Sequence, residues 1–591
     1  MSHAGQAASV RKAVTSRWAR LLLGAACTGL GVVLTLRPFT SLTVLVAFVA
    51  ASFFVTGISE LTSIGRSETR WLPVAVGVGS LAVGVLVLVW AGITIHALAI
   101  VTGIGMVVGG LARLTTAVRT QGADRAVAAL TGFASVVFGA LALAWPDVTV
   151  LVLALLFGAR TVIFGLQQIT AAVSQRPRRP GRWRGRRSPQ WLRVTGAVAS
   201  VVLALGLLAG SAEIHRSSAS SPDAFYDAPS GIPAAPGVLL RSEPYTTGIP
   251  DDWRAWRILY TTTRAPNVPA VASGLVIVSK RSPAGPRPVI AWAHGTTGVA
   301  SSCAPSLLSA SRLNNGVIPG LDRLIGRGWA LVATDYVGLG TAGPHPYLIG
   351  QGEARSVLDS VRAARQLPDL DLAHETVVWG HSQGGHAALW VGMLAPTYAP
   401  DVNVVGVAAL APASDLLALV DTIRHTLEGR VLSAYIMTAY SQNYADVSFD
   451  HYVRPAARVQ VREAAKRCLD LPDAIPSVLT ALLSRQPIYA VDPLSGALGR
   501  RLAENTPREP VKAPLLIAQG DADPLVLPSV QRAYVNERCH AGQRVEYVTY
   551  RNRDHLSLLW SNSPLVPFLL AWSEARFAGR SVENRCTVAS R

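Results

Sequence analysis

Ser382, Asp523 and His555 are the residues of this 591-residue chain whose types and order could do chemistry. Ser382 stands in Gly380-His381-Ser382-Gln383-Gly384, between the apolar run Val377–Trp379 and a second apolar stretch from Ala387 to Leu394. A strand that turns sharply into a helix strains the residue at the turn. Glycines two positions either side remove the clashes that side chains would make there. The serine hydroxyl then projects from the end of a sheet as a nucleophile. Such a hydroxyl needs a base to take its proton, and the base needs an acid to orient it. Asp523 lies just beyond the apolar run Leu515–Ala518, and His555 just beyond the run Val545–Tyr550. His540 sits beside Cys539 and reads as a surface or turn residue. His381 and His386 flank the serine and read as packing or hydrogen-bonding residues, because the turn points them away from its hydroxyl.

Those residues have to be held by a sheet. Short β-rich runs occur at Gly274–Ser279, Val289–Trp292, Ala330–Thr334, Thr376–Trp379, Val404–Ala408, Leu515–Ala518 and Val545–Tyr550. Helix-like stretches, including Gly352–Leu367 and Gly384–Leu394, separate most of them. The alternation predicts a mostly parallel sheet with helices on both faces, and Ser382 at the carboxyl end of a central strand. The order serine, acid, histidine is that of the α/β-hydrolase fold. Asp523 matches that fold's G-x-x-D-x-x-V spacing from Gly520, with Asp521 in reserve. An oxyanion hole is expected from the backbone N–H of Gln383 at the head of the following helix. Its second donor is expected from His294-Gly295-Thr296-Thr297-Gly298, with Thr296 preferred and Thr297 close behind. His294, His345, His381 and His386 lack a paired ligand spacing with carboxylates, so no metal and no cofactor is expected.

The first third of the chain is different in kind. Half of all residues are hydrophobic and 15% are charged, too apolar a balance for an ordinary soluble enzyme. The net charge is +18; residues 1–212 hold 19 Lys/Arg and 4 Asp/Glu, or +15, leaving +3 for the remainder. The basic residues flank apolar runs, which speaks for membrane orientation and against nucleic-acid binding. Seven spans of membrane-crossing length are expected at 20–37, 41–60, 72–90, 92–112, 126–145, 148–170 and 194–212. The first six form three helical hairpins related by a repeat. Gly24, Gly31, Pro38 and Gly57 recur as Gly77, Gly84, Ala91 and Gly110, then as Gly132, Gly139, Pro146 and Gly165. Glycines seven apart share a helix face and permit close approach in lipid. This pattern resembles the acid-resistance (HdeD-like) short-repeat membrane protein family, which implies a six-helix domain and no catalytic residue. Arg11, Lys12, Arg17 and Arg20 precede the first span, and Arg176 to Arg187 follow the sixth. Both basic segments are expected in the cytoplasm, with the seventh helix carrying the rest of the chain outside. The expected division is a cytoplasmic tail (1–19), membrane domain (20–175), basic loop (176–193), seventh helix (194–212), linker (213–236) and hydrolase domain (237–591).

The runs WAHGTTGVASSCAPS (292–306) and DYVGLGTAGPHPYLIGQGEARSVLDSVRAAR (335–365), with GHSQGG and GDADPLV, resemble the secretory lipase family. The resemblance implies Ser382, Asp523 and His555 as triad, a lipid or other carboxylic-ester substrate, and a helical lid, matched here by residues 412–510. His555 would take the proton of Ser382 as it attacks the ester carbonyl. Asp523 would fix the imidazole tautomer, and water would resolve the acyl-enzyme. Transfer of the acyl group to another alcohol is an alternative with the same triad. A binding module without turnover, attached to a membrane stress or transport protein, is the alternative from another class. Cys303, Cys468, Cys539 and Cys586 follow the last span, where an oxidising compartment would favour two disulfides. The sequence alone allows three pairings. The family resemblance favours Cys303 with Cys468, which leaves Cys539 with Cys586.

Overall fold

The computed structural model describes residues 17–62, 71–173, 190–217, 221–281, 285–307, 318–470, 473–580 and 585–590. Arg11, Lys12 and the basic run Arg176 to Arg187 lie outside them. Two compact units result. One holds the helices up to Ser217 together with Arg454–Glu463 and Pro476–Ile488; the other holds the rest.

In the first unit the described residues up to 217 form α1 (Arg17–Leu36), α2 (Pro38–Thr62), α3 (Trp71–Val89), α4 (Ala91–Arg119), α5 (Gly122–Ala144), α6 (Pro146–Val173) and α7 (Gln190–Ser217). Among the described residues α2, α4, α5, α6 and α7 are long and apolar enough to cross a membrane; α1 and α3 carry shorter apolar stretches, Leu21–Leu36 and Gly77–Val89. The two helices of each repeat are separated by one residue: Arg37, Trp90 or Trp145. Their closest packing is with neighbouring repeats instead: α2 on α3, α4 on α5, and α6 back on α1. The repeat glycines sit at these crossings. A Cβ added at Gly57 would lie 2.9 Å from the carbonyl oxygen of Gly77, at Gly110 2.7 Å from that of Gly132, and at Gly24 2.8 Å from that of Gly165. Each contact joins equivalent positions, so the third repeat closes on the first. The second helices of the repeats, α2, α4 and α6, also touch one another.

The second unit is built on one ten-stranded sheet in the order β1-β2-β3-β5-β4-β6-β7-β8-β9-β10. In chain order its elements are β1 (Leu239–Pro244), β2 (Trp253–Ala265), β3 (Val268–Ser279), β4 (Arg287–Ala293), α8 (Leu321–Gly326), β5 (Ala330–Thr334), α9 (Gly350–Ala364), β6 (Leu372–His381), α10 (Gln383–Tyr398) and β7 (Asn403–Leu410). The chain between β7 and β8 holds six helices: α11 (Leu416–Ile423), α12 (Leu427–Asn443), α13 (Phe449–Tyr452) and α16 (Gly496–Glu504) belong to this unit, while α14 (Arg458–Ala465) and α15 (Ile475–Ser484) fall mainly in the first. The sheet resumes with β8 (Leu515–Gly520), α17 (Pro528–His540), β9 (Val545–Tyr550), α18 (Leu565–Phe577) and β10 (Arg585–Ser590). From β5 through β10 every pairing is parallel; β1, β2 and β3 form an antiparallel edge joined to β5.

Strand side chains alternate between two cores. Val289, Ala291 and Ala293 pack toward α9 and α10, while Ile290 and Trp292 pack toward α8 and α18. Both faces are covered, which is why the central strands read as unbroken apolar runs. β1, β2 and β10 have no counterpart among those runs. β1 and β10 are edge strands, and β2 (WRAWRILYTTTRA) breaks its buried positions with Arg254 and Arg257. The stretch expected as a linker is also partly ordered. Ala224–Tyr226 is a short 3-10 turn whose Phe225 and Tyr226 are buried against Leu259 and Val271, because two aromatic rings gain more from burial than a linker can offer in solvent.

Candidate active site

β6 delivers Ser382 and α10 leaves from it. Ser382 has φ 57° and ψ −116°, a left-handed region that is costly for any residue but glycine. The elbow is clamped from both sides: Ser382 N donates to Leu410 O at 2.9 Å, and Ser382 O accepts from His386 N and Ala413 N. The glycines are obligatory here. A Cβ at Gly380 would run into the carbonyl of Gly384, and one at Gly384 into the carbonyl of Ala293.

Asp523 and His555 come from the loops after β8 and β9. Asp523 Oδ2 lies 2.8 Å from His555 Nδ1 and accepts from Gln519 Nε2 at 2.9 Å. Its Oδ1 accepts from the backbone N–H groups of Leu525 and Val526, both at 2.9 Å. Four donors hold a carboxylate that is 2% exposed, so its orientation toward the imidazole is fixed. Asp521 is exposed and accepts from Asn552 N. Of the two aspartates, the structure brings Asp523 to the histidine.

His381 supports that histidine from behind. Its Nε2 donates to the carbonyl oxygen of His555 at 2.9 Å, and the two rings stand 4.7 Å apart. Burial, with His555 beside it, lowers the His381 pKa to about 3, which keeps it a neutral donor. His540 ends α17 exposed. Among the described residues Ser382 Oγ and His555 Nε2 make no hydrogen bond. Such contacts are often open without substrate and tighten when it binds.

Gln383 follows Ser382 at the head of α10, and Thr296 and Thr297 follow Gly295. The backbone N–H groups of Gln383, Thr296 and Thr297 have no acceptor among the described residues. Gly295 is pressed against this corner: a Cβ there would sit 3.7 Å from Ser382 Cβ and 3.1 Å from His381 Nδ1. Thr296 Oγ1 is hydrogen-bonded with Tyr347 OH at 2.9 Å. Thr297 O accepts from Leu469 N at 2.7 Å, and its Oγ1 is buried without a partner. A disulfide joins Cys303 to Cys468 (Cα–Cα 5.2 Å), fixing the segment after Gly298 to the insertion between β7 and β8. A second joins Cys539 to Cys586 (Cα–Cα 6.0 Å), tying α17 to β10. Cys468, Asp470 and Asp473 lie close enough to share an ion, but the disulfide removes the thiolate that a metal would take. His386 and Glu353, which the sequence reading did not place in the site, form a buried pair behind Gln383. The signal for Glu353 was present in the run GQGEARS, where Gly350 and Gly352 precede it.

A mostly parallel sheet with a serine elbow after β6 and an acid–histidine pair after β8 and β9 defines an α/β-hydrolase. The secretory lipase family model matches residues 318–584. A second model, described as a short repeat of unknown function (DUF308), matches residues 22–78, 75–131 and 130–209. Lipase A of Moesziomyces aphidis is 25% identical over 57% of this chain and 76% of its own length. A probable inactive lipase of Mycobacterium tuberculosis is 26% identical over 62% of this chain and 84% of its own. The closed-state crystal structure of Candida antarctica lipase A shares the fold, with a TM-score of 0.54 at 19% identity over 63% of this chain and 90% of that one. The C-terminal half is thus similar to lipases, and the N-terminal half to the short repeat.

Proposed function

We propose that the chain is a membrane-anchored serine hydrolase of carboxylic esters, with its catalytic half outside the cell membrane and lipid or acyl esters as substrates. The observation that carries this reading is the Asp523 Oδ2–His555 Nδ1 contact of 2.8 Å beside a serine held at positive φ. Ser382 is the nucleophile, His555 the base that later protonates the leaving alcohol, and Asp523 the group that holds the tautomer and stabilises the imidazolium. The free N–H groups of Gln383 and of Thr296 or Thr297 receive the tetrahedral oxyanion. Residues 412–510 serve as the lid over this site.

Topology rests on the basic flanks and on one ion pair. Arg193 at the start of α7 reaches Asp124 at the start of α5 at 2.9 Å. Those two helix starts then share a membrane side, as an even number of spans between the basic segments requires. A reporter fused at 225 is expected outside, and one fused at 180 in the cytoplasm; an external 180 fusion would overturn the seven-span count. The activity is tested with the purified chain on p-nitrophenyl esters of short, medium and long acyl chains. Wild type is expected to turn over at least one of them and Ser382→Ala none. Equal inertness of the two would replace the enzyme with a non-catalytic binding module, a state the Mycobacterium tuberculosis relative makes concrete. Acyl transfer would show as an ester product in the presence of added alcohol.

A further inference from the structure

Behind the elbow lies a carboxylate that the mechanism above does not use. Glu353 is 0% exposed, and among the described residues no Lys or Arg pairs with it. Its Oε1 accepts from Leu348 N at 2.9 Å and from Gln383 Nε2 at 2.8 Å. Its Oε2 lies 3.0 Å from His386 Nδ1. Gln383 and His386 are one turn apart on α10, so a single carboxylate grips the first turn of the helix at both ends.

The protons of this cluster can be assigned from the acceptors alone. His386 Nε2 faces the carbonyl oxygen of Asn505 at 2.7 Å, which can only accept, so Nε2 carries a proton. One further proton lies between Nδ1 and Glu353 Oε2, and the pair is neutral as a unit, which makes its full burial tolerable. His345 Nδ1 faces Val337 O at 2.9 Å and therefore donates, leaving Nε2 as an acceptor for Gln383 Nε2 at 3.1 Å. The Gln383 amide nitrogen thus meets two acceptors, and its oxygen, buried with no partner, meets no donor. The amide can sit only one way round. Delivery of Glu353 depends on bare backbone at the start of α9: a Cβ at Gly350 would enter the Trp390 ring, and one at Gly352 would lie 2.8 Å from Arg264 O.

We propose that Glu353 is a positioning residue for ester hydrolysis: through the Gln383 side chain and His386 it holds the Gln383 N–H where the oxyanion forms. This rests on the serine-hydrolase reading above. Preorganised donors act only if they do not move when charge develops, and a misplacement of about 1 Å costs about 100-fold in rate.

The full chain, purified in detergent, is assayed on a p-nitrophenyl ester as wild type, Glu353→Ala, Glu353→Gln, Gln383→Ala and the double variant Glu353→Ala/Gln383→Ala. Gln383→Ala keeps the backbone N–H and removes only its anchor. Both alanine variants are expected to lower kcat about 100-fold with KM within about threefold, and the double variant to fall no further than the lower single. Glu353→Gln is expected to stay within about fivefold of wild type. Its amide oxygen still accepts from Leu348 and Gln383, and its NH₂ donates to a neutral His386, so the hydrogen bonds survive. Full kcat in Gln383→Ala, or multiplicative losses in the double variant, would overturn the proposal. If Glu353→Ala does not fold, Gln383→Ala and Glu353→Gln still decide it. Amide hydrogen exchange of the peptide spanning 380–388 separates the two readings. Wild type as inert as Ser382→Ala ends the hydrolase reading, while faster exchange there in Gln383→Ala still supports the clamp and unchanged exchange refutes it.

Discussion

The helical unit and the sheet unit keep their backbones close by opposite means. At the crossings of the helical unit, glycine meets glycine in three equivalent places, and the contact is van der Waals packing of bare backbone. At the elbow of the sheet unit the close approaches, Gly380 on Gly384 and Gly384 on Ala293, occur once each and shape the turn that carries Ser382. The first unit tolerates repetition because each of these crossings makes the same demand, bare backbone at the same repeat positions. The second cannot repeat, because the proposed triad needs one residue of each kind at one place. Damage should follow the same division.

The largest expected effect is at the proposed triad. His555→Ala should lower kcat by roughly 10⁴-fold or more with little change in KM. Asp523→Asn should be severe but milder than that, and Asp521→Asn should stay within about twofold, since its carboxylate only accepts from Asn552 N on the surface. Steady-state kinetics on the three variants checks this; a more damaging Asp521→Asn would move the acid assignment. None of the three should alter the unfolding of the helical unit.

The converse test is at a crossing. Gly110→Leu puts a Cβ 2.7 Å from Gly132 O and 2.9 Å from Val136 N, closer than real Cβ contacts occur. Forced separation of α4 and α5 should cost about 1–3 kcal/mol, read by unfolding in detergent, with kcat unchanged. Gly105→Leu on the same helix is the control, because nothing lies within 4 Å of its added Cβ. Equal losses at 105 and 110 would mean that helix propensity, not the crossing, sets the cost.

A pH dependence is expected of the sheet unit. Burial lowers the pKa of His294 to about 4 and that of His345 and His381 to about 3, from 6.5. The folded state binds fewer protons than the unfolded chain in that window. Their stability contribution is therefore complete above 6.5 and lost as pH falls toward 4 and 3. At pH 5 each histidine should withhold about 2 kcal/mol. Asp335 opposes them: burial raises its pKa from 3.8 to about 6, so its cost is relieved as pH falls through that range. Three protons against one leaves a net loss on acidification. Thermal unfolding of the sheet unit at pH 7 and pH 5 should show it, and His345→Gln should shrink the difference by roughly one histidine's share. A unit as stable at pH 5 as at pH 7 would refute the balance.

By itself the sequence determined what depends on neighbours along the chain. Apolar runs long enough to span lipid mark the helices, a fixed spacing of glycines marks the repeat, and Gly380-His381-Ser382-Gln383-Gly384 marks the elbow, because each is a local demand on a few consecutive residues. The strands from β3 to β9 were legible for the same reason: burial on both faces leaves a continuous apolar signature. The tertiary structure alone decided which of those features meet. Gly24 finds Gly165 only because the third repeat closes on the first, and no spacing within one repeat contains that distance. β1, β2 and β10 gain their pairing from partners rather than from pattern. Glu353 lies 30 residues before Gln383 in sequence and 2.8 Å from it in space, and a buried carboxylate is made acceptable by the partners around it, which no single stretch of chain can specify.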